Sequence, residues 1–475
     1  MNSLIRNGLC FRVIKTAMVI ALVSAGFQTA VRAQDAASAR VDELVRTEMK
    51  LQRIPGLSLA VVKDGQIILA KGYGQANVEH QVPAKADTIF QSGSMGKQFT
   101  AMAVMMLVEA GKLSLSDSIT KYFPDSPDSW KNITVRHLLT HTAGTTDYPR
   151  DFDFRRDYTE DELLKRAQAV PLAFQPGEKW AYSNLGYVLL GLLIHKVSGQ
   201  FYGDYLQERV FRPLGMTTAR IISEADIVPN RAAGYQLVKG ELKNQNWVSP
   251  TLNTTADGAL YLTVYDMAKW DAALYTEKLV RKESFVTMWT PVKLNNGKSE
   301  KYGFGWALGE LRGHRVIEHG GTWQGFKAQI ARYVDDKLTV IVFANLRQAN
   351  PSRISQKVAG IYNAELVPPV AEAIADTEPA VTARAKEIVR KATESSLDSS
   401  SFTPEAWTQI SRGAADASAF LKNYGPLSAI ELLAITEQNG NRAYRYRLKY
   451  QDGNVVFVMT VRADGKIVRL NLNPE

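Results

Sequence analysis

The chain has 475 residues, 45% of them hydrophobic and 22% charged, which is the composition of a globular protein large enough for more than one domain. Its formal charge of +9 comes from 57 Lys and Arg against 48 Asp and Glu. These charges are spread out, with no basic run interleaved with aromatics, which argues against nucleic acid as a partner.

Residues 1–33 read as a secretory leader. Arg6, Arg12 and Lys15 form a basic start, Ala17 to Phe27 an apolar stretch, and Val31-Arg32-Ala33 a small-residue cleavage site. The apolar stretch is short of the roughly 20 residues that a membrane span needs. No later segment is long and apolar enough to cross. Cleavage after Ala33 removes four basic residues and lowers the charge to +5. It also removes Cys10, the only cysteine, and with it any disulfide, thiol nucleophile or Cys-bound zinc. The expected location is secreted or periplasmic.

Leu57–Lys63 and Gln66–Tyr73 flank Asp64-Gly65, a strong hairpin signal. Next comes Gln91-Ser92-Gly93-Ser94-Met95-Gly96-Lys97-Gln98-Phe99, followed by an apolar run to Gly111. This predicts a buried helix of about four turns. Residues i and i+3 of a helix share a face, about 5–6 Å apart at Cβ, so the Lys97 amine can reach the Ser94 hydroxyl. A hydroxyl becomes nucleophilic when a neighbouring base takes its proton. Read alone, Ser94 fits a helix N-cap as well as a nucleophile. A second Ser-x-x-Lys, Ser118 to Lys121, runs into Pro124, which forbids a long helix.

Helices are expected at Thr159–Ala169, Leu185–Ser198 and Tyr202–Phe211. Before the second lies Tyr182-Ser183-Asn184, the only Tyr-x-Asn among 19 tyrosines. A phenol beside an ammonium ionises more readily, so Tyr182 suits proton transfer to and from a serine. Asn184 offers an amide for a substrate carbonyl, or simply a helix cap. His314–His319 reads as a short strand before His319-Gly320-Gly321-Thr322. There the glycines allow close approach of a substrate, and the N–H of Thr322 can join that of Ser94 in an oxyanion hole. A plain glycine-rich turn fits equally well. A second hairpin, Phe326–Val334 and Lys337–Asn345, follows.

Ser94-x-x-Lys97, Tyr182-x-Asn184 and His319-x-Gly321, in that order, together resemble the penicillin-recognising serine hydrolases. That group comprises class C β-lactamases, their esterase relatives, and D-Ala-D-Ala carboxypeptidase or D-aminopeptidase homologues. Ile133 to Gly144, Gly258 to Thr263 and Tyr302-Gly303-Phe304-Gly305-Trp306 look like the same family, and the match spans roughly residues 37–365. The resemblance implies an α/β (α+β) domain, with the site between an antiparallel sheet and a helical region. It further implies an acyl-enzyme on Ser94, proton transfer by Lys97 and Tyr182, acyl binding by Asn184, and a cleft lined by His319, Gly321 and Thr322. One departure matters. The third motif in β-lactamases is usually Lys-Thr-Gly, whose cation helps bind the drug's carboxylate. Histidine is largely neutral at pH 7, and His-x-Gly is commoner in the esterase and peptidase branches.

No histidines show H-E-x-x-H spacing and no Gly-x-Ser-x-Gly surrounds Ser94, so neither a zinc peptidase nor an α/β-hydrolase is indicated. Neither a cofactor nor a metal is expected. The domain reading is a leader at 1–33, a hydrolase domain at 34–366, a linker at 367–383 and a small α+β domain at 384–475. The expected function is hydrolysis of small esters or D-amino-acid-containing peptides, with cell-wall peptide as a candidate partner. A β-lactamase and a low-turnover cell-wall-fragment sensor are the alternatives.

Overall fold

The computed structural model describes residues 34–149, 151–221 and 225–475, so the expected leader lies outside the described residues. A helix over residues 34–52 (α1) leads into a hairpin of β1 (Gly56–Lys63) and β2 (Gln66–Asn77). Asp64 and Gly65 turn it with φ of 50° and 75°, the paired left-handed geometry of the tightest hairpins. A short strand, β3 (Val82–Pro83), pairs with the end of β2. The helical region includes α2 (Lys97–Glu109), α3 (Asn184–Ser198) and α4 (Val264–Ala273). The chain then returns through β4 (Ala307–Leu311), β5 (His314–Trp323), β6 (Phe326–Tyr333) and β7 (Leu338–Ala344) to α5 (Pro351–Tyr362).

The seven strands form one antiparallel sheet in the order β4-β5-β6-β7-β1-β2-β3. Its two halves join where Leu59 of β1 pairs with Val342 of β7, so the two ends of the region close the sheet. Strand periodicity sends alternate side chains to opposite faces. Ala60, Val62, Ile330 and Phe343 pack with the helical region, including Phe99, Leu189 and Trp270. Leu59, Val61, Val340 and Val342 pack on the other face, against Val41 and Val45 of α1 and Val358 of α5. Burial on both faces explains why β1 and β7 read as nearly unbroken apolar runs.

Two expectations change. The strand expected at His314–His319 continues to Trp323, because Gly320 and Gly321 stay extended instead of turning. The helix expected over Tyr202–Phe211 is α-helical only to Leu206 and continues as one π turn over Gln207–Phe211.

The C-terminal unit contains α6 (Pro379–Thr393), α7 (Pro404–Lys422) and a four-stranded antiparallel sheet. Its strands are β8 (Leu427–Gln438), β9 (Asn441–Tyr450), β10 (Gly453–Val461) and β11 (Ile467–Pro474). It has a core of its own that includes Ile388, Leu421, Tyr446 and Phe457. Helix α6 begins inside the expected linker, because Pro379 sits in the first turn, where a missing N–H costs nothing. Helix α7 runs on through Gly413 to Lys422, carried by the alanine-rich stretch that follows the glycine. No helix among the described residues is long and apolar enough to cross a membrane.

Candidate active site

Ser94 lies on a single 3-10 turn, Gly93–Gly96, that feeds directly into α2. The turn rests on β5. Gly93 has φ of +53°, and a Cβ there would come 2.5 Å from the Thr322 nitrogen. A Cβ at Gly321 would come 1.8 Å from the Ser92 carbonyl oxygen. The absence of side chains at these two places lets the turn and the strand touch. The N-cap role open to Ser94 is not taken: neither the turn nor α2 has a side-chain cap, and the Ser94 hydroxyl meets Lys97 instead. The second Ser-x-x-Lys behaves as local structure. Ser118 caps a short turn and Lys121 pairs with Asp117 on the surface.

Lys97 is fully buried, and its Nζ has three acceptors in reach. They are Ser94 Oγ at 3.1 Å, the Asn184 side-chain oxygen at 2.7 Å and the Asp257 main-chain oxygen at 2.5 Å. An ammonium satisfies all three with its three donors. A neutral amine satisfies the last two and turns its lone pair to the Ser94 hydroxyl. The same heavy-atom geometry therefore serves both protonation states, and a proton can pass between Ser94 Oγ and Lys97 Nζ without another bond breaking.

Asn184 is the first residue of α3, and the cap is Ser183, whose Oγ accepts from the Gly186 N–H at 3.0 Å. The Asn184 amide is therefore free to work in the cleft. Its oxygen receives Lys97, and its NH2 donates to Asp147 at 3.2 Å. Asp257 is buried, and burial, opposed by the Lys97 charge, holds its carboxyl above the ordinary range. Thr255 donates to that carboxyl at 2.6 Å and Tyr148 at 3.3 Å.

Tyr182 lies with its ring centroid 4.9 Å from Lys97 Nζ. Its hydroxyl is buried and has no hydrogen-bond partner among the described residues. It shares the cleft with Ser94, with no hydrogen bond between the two among the described residues.

Behind Tyr182 runs a polar chain. The Ser183 N–H donates to His141 Nδ1 at 3.2 Å. His141 Nε2 meets the Tyr302 hydroxyl at 3.2 Å, and that hydroxyl meets His319 Nε2 at 2.9 Å. His319 Nδ1 lies 2.6 Å from the Gly320 carbonyl. With both imidazoles neutral, one proton arrangement satisfies every link: His141 donates from Nε2 to Tyr302, Tyr302 to His319, and His319 from Nδ1 to Gly320. Burial, with the Lys97 charge, pushes His319 down to about 4. Burial with the same charge, and the neighbouring His319, holds His141 well below its usual value. The first position of the third motif is thus uncharged at neutral pH.

β4 pairs with β5 only as far as Glu318, so His319–Trp323 has one open edge among the described residues. Trp323 and Phe326 close the hairpin around Gln324-Gly325. The next pair, Thr322 and Lys327, is then of the wide kind, whose N–H and C=O groups point away from the partner strand. The Thr322 N–H therefore faces the open edge. Along this edge lies an open trough of about 740 Å³. Ser94, Tyr182, Asn184, His319, Gly321 and Thr322 all line it, and Lys97 sits beneath, bonded to Ser94 and Asn184. Seven residues from three distant parts of the sequence thus meet. Sequence reasoning missed the Asp257 carbonyl and the Tyr302 hydroxyl, although each lies in or beside a segment that looks like the family.

Comparison with known proteins agrees with this geometry. The Beta-lactamase family profile matches residues 41–361, more than half the chain. Penicillin-binding protein 4* of Bacillus subtilis (strain 168) is 30% identical over 306 residues, covering 61% of this chain and 67% of that protein. A D-aminopeptidase of Gluconobacter oxydans is 26% identical over 322 residues, covering 66% of this chain and 59% of its own length. An octameric penicillin-binding protein homologue from Pyrococcus abyssi superposes with a TM-score of 0.64 at 24% identity, covering 92% of this chain and 98% of that one.

Proposed function

The chain is a serine hydrolase of the β-lactamase family, and from that premise we propose that it works through an ester on Ser94, cleaving small esters or D-amino-acid-containing peptides outside the cytoplasm. The observation that carries this reading is the three-way contact of the buried Lys97 amine with Ser94, Asn184 and the Asp257 carbonyl.

Ser94 Oγ attacks the substrate carbonyl, and its proton leaves to Lys97 or through the Tyr182 phenol. The negative charge that develops on the carbonyl oxygen is met by the N–H groups of Ser94 and Thr322. Tyr182, whose hydroxyl has no hydrogen-bond partner among the described residues, protonates the leaving group. Water then cleaves the ester by the reverse proton path. Asn184, oriented by Lys97 and Asp147, holds the acyl portion. The substrate strand lies along the open edge of β5, where an extended peptide can pair with free backbone groups. Residues 34–366 hold the whole of this machinery, and the basic, apolar and small-residue pattern of residues 1–33 supports export.

A binding module would need the trough but not a nucleophile in contact with a proton acceptor. Turnover is therefore the stronger reading. The test is labelling of the mature chain by a fluorophosphonate, alongside hydrolysis of p-nitrophenyl esters and D-alanyl peptides. Labelling that is lost in Ser94→Ala, together with turnover, supports the proposal. An unlabelled, inactive wild-type chain contradicts it.

A further inference from the structure

The C-terminal unit lies beyond residues 41–361, the part matched by the family profile, and the proposed reaction uses none of it. It nevertheless holds a cavity of about 540 Å³, bounded by α6 and α7 on one side and by Phe457 and β11 on the other. Helix α7 turns Gly413, Ala414 and Ala417 toward this space. Residues this short leave a gap between helix and sheet that leucines or phenylalanines would close.

The cavity opens at the side of a strand. It touches five successive residues of β11, 468–472. Side chains along a strand alternate between faces, so a space bounded by five in a row reaches around the strand's edge instead of lying over one face. β11 is the last strand in the order β8-β9-β10-β11, and no strand pairs with its outer side along 468–472 among the described residues. Only its start is met, where Ile467 bridges to Phe402. The edge therefore offers a row of backbone N–H and C=O groups, a ready template for another strand. At the far edge of the sheet the connector supplies such contact, since the Ile374 N–H donates to the Leu432 carbonyl of β8 at 2.8 Å.

An open backbone edge with an apolar cavity beside it favours an extended peptide over an acyl chain. The edge supplies main-chain hydrogen bonds, and the cavity takes alternate side chains. Leu470 and Leu472 pair with Met459 and Phe457 of the core, so they face the helices, and Arg469 faces away. Two formal charges line the cavity, Arg469 and Asp416. Neither forms an ion pair among the described residues, and the Arg469 Nε meets only the Asn471 side chain, at 3.4 Å. Asp416 lies toward the end of β11, where it lines a neighbouring hollow with Pro474. Every pairing in this sheet is antiparallel. A segment added in the same sense starts beside Asp416 and ends beside Arg469.

We propose that the edge of β11 and the cavity under α7 form a docking site for an extended segment of another protein, laid antiparallel to β11. The segment has apolar side chains at alternate positions, a basic residue at its start and an acidic residue at its end. At about 3.4 Å per residue, a heptapeptide spans the open edge. This site is separate from the trough at Ser94 and does not depend on the reaction proposed there.

The experiment measures fluorescence anisotropy of labelled Lys-Val-Thr-Val-Thr-Val-Glu with the full-length protein. Saturable binding is expected. The charge-reversed peptide Glu-Val-Thr-Val-Thr-Val-Lys should bind about 5- to 10-fold more weakly, the scale of two cross-strand charge pairs turned to like charges. Arg469→Glu should remove most of that preference. Ala417→Phe, which fills the cavity, should weaken both peptides by at least about 10-fold, with circular dichroism confirming its fold. Backbone pairing is read on the wild-type protein alone. N-methylation of the three valines and of the two threonines blocks opposite edges of the peptide, so one set should abolish binding and the other should change it by less than about threefold. No saturable binding, equal binding of both N-methylated peptides, or a charge preference that Arg469→Glu leaves unmoved overturns the site. A dimer in sedimentation that Ala417→Phe dissociates, with no peptide bound, assigns the edge to a second copy and likewise overturns the proposal.

Discussion

Lys97 and Asn184, 87 residues apart in the chain, meet at 2.7 Å, and this contact anchors the base of α2 to the start of α3. The same amine holds the Ser94 hydroxyl and the loop at Asp257. One buried side chain thus fixes three elements around the nucleophile.

Replacing Lys97 should therefore remove catalysis. Lys97→Met, which keeps the length and removes the donors, should lower kcat/KM for p-nitrophenyl acetate by about 10²- to 10⁴-fold, the value of a lost acid–base group. Stopped-flow or steady-state ester hydrolysis measures it, with circular dichroism to confirm folding. A variant that is folded and as fast as wild type would remove Lys97 from the mechanism.

Gly321→Ala should be severe for a steric reason. The added methyl falls 1.8 Å from the Ser92 carbonyl, so strand and nucleophile turn must part. Because backbone, not a flexible side chain, is in the way, Ser94 moves relative to the Thr322 N–H. The expected result is a fluorophosphonate labelling rate at least about 10²-fold slower, consistent with loss of one oxyanion donor. Labelling at the wild-type rate would show that the turn tolerates the separation.

Much of this site was legible in the sequence, for identifiable reasons. Ser94, Lys97, Tyr182, Asn184, His319, Gly321 and Thr322 stand in short motifs whose spacing has a local meaning, and the order of the motifs carries the rest. The Asp257 contact was not legible because a main-chain carbonyl has no residue signature. Tyr302 was noticed only as part of Tyr302–Trp306, since its partners, His141 and His319, reach it through tertiary packing. The hairpin at Asp64-Gly65 was legible because only two left-handed residues close it. The end of β5 was not, because Gly320-Gly321 fits both a turn and an extended strand that must make room for another segment.

Tyr302→Phe should uncouple the two histidines. The change leaves His141 Nε2 and His319 Nε2 buried and without their shared hydroxyl. Unsatisfied buried groups of this kind cost about 1–3 kcal/mol. Chemical denaturation should register a loss of that size with the fold kept. A variant as stable as wild type would mean that the chain of bonds contributes nothing.

The histidines also set a pH dependence. His319 titrates near 6.5 when unfolded and about 4 when folded, so the unfolded chain binds the extra proton first as pH falls. Stability is complete above about pH 6.5 and declines as pH drops toward 4. Between pH 7 and 4.5 the loss from His319 is about 2–3 kcal/mol. His141, lowered in the same direction, adds to the slope. His319→Gln should flatten that part of the profile, as read from urea midpoints at the two pH values. An unchanged slope would contradict a neutral, buried His319.

The proposed reaction depends above all on covalent chemistry at Ser94. Intact-protein mass spectrometry of the protein, mixed with benzylpenicillin or an activated ester and quenched in acid, should show an adduct equal to the acyl group. Peptide mapping should place it on Ser94, and Ser94→Ala should show none. An adduct on another residue, or substrate turnover that persists in Ser94→Ala, would contradict it.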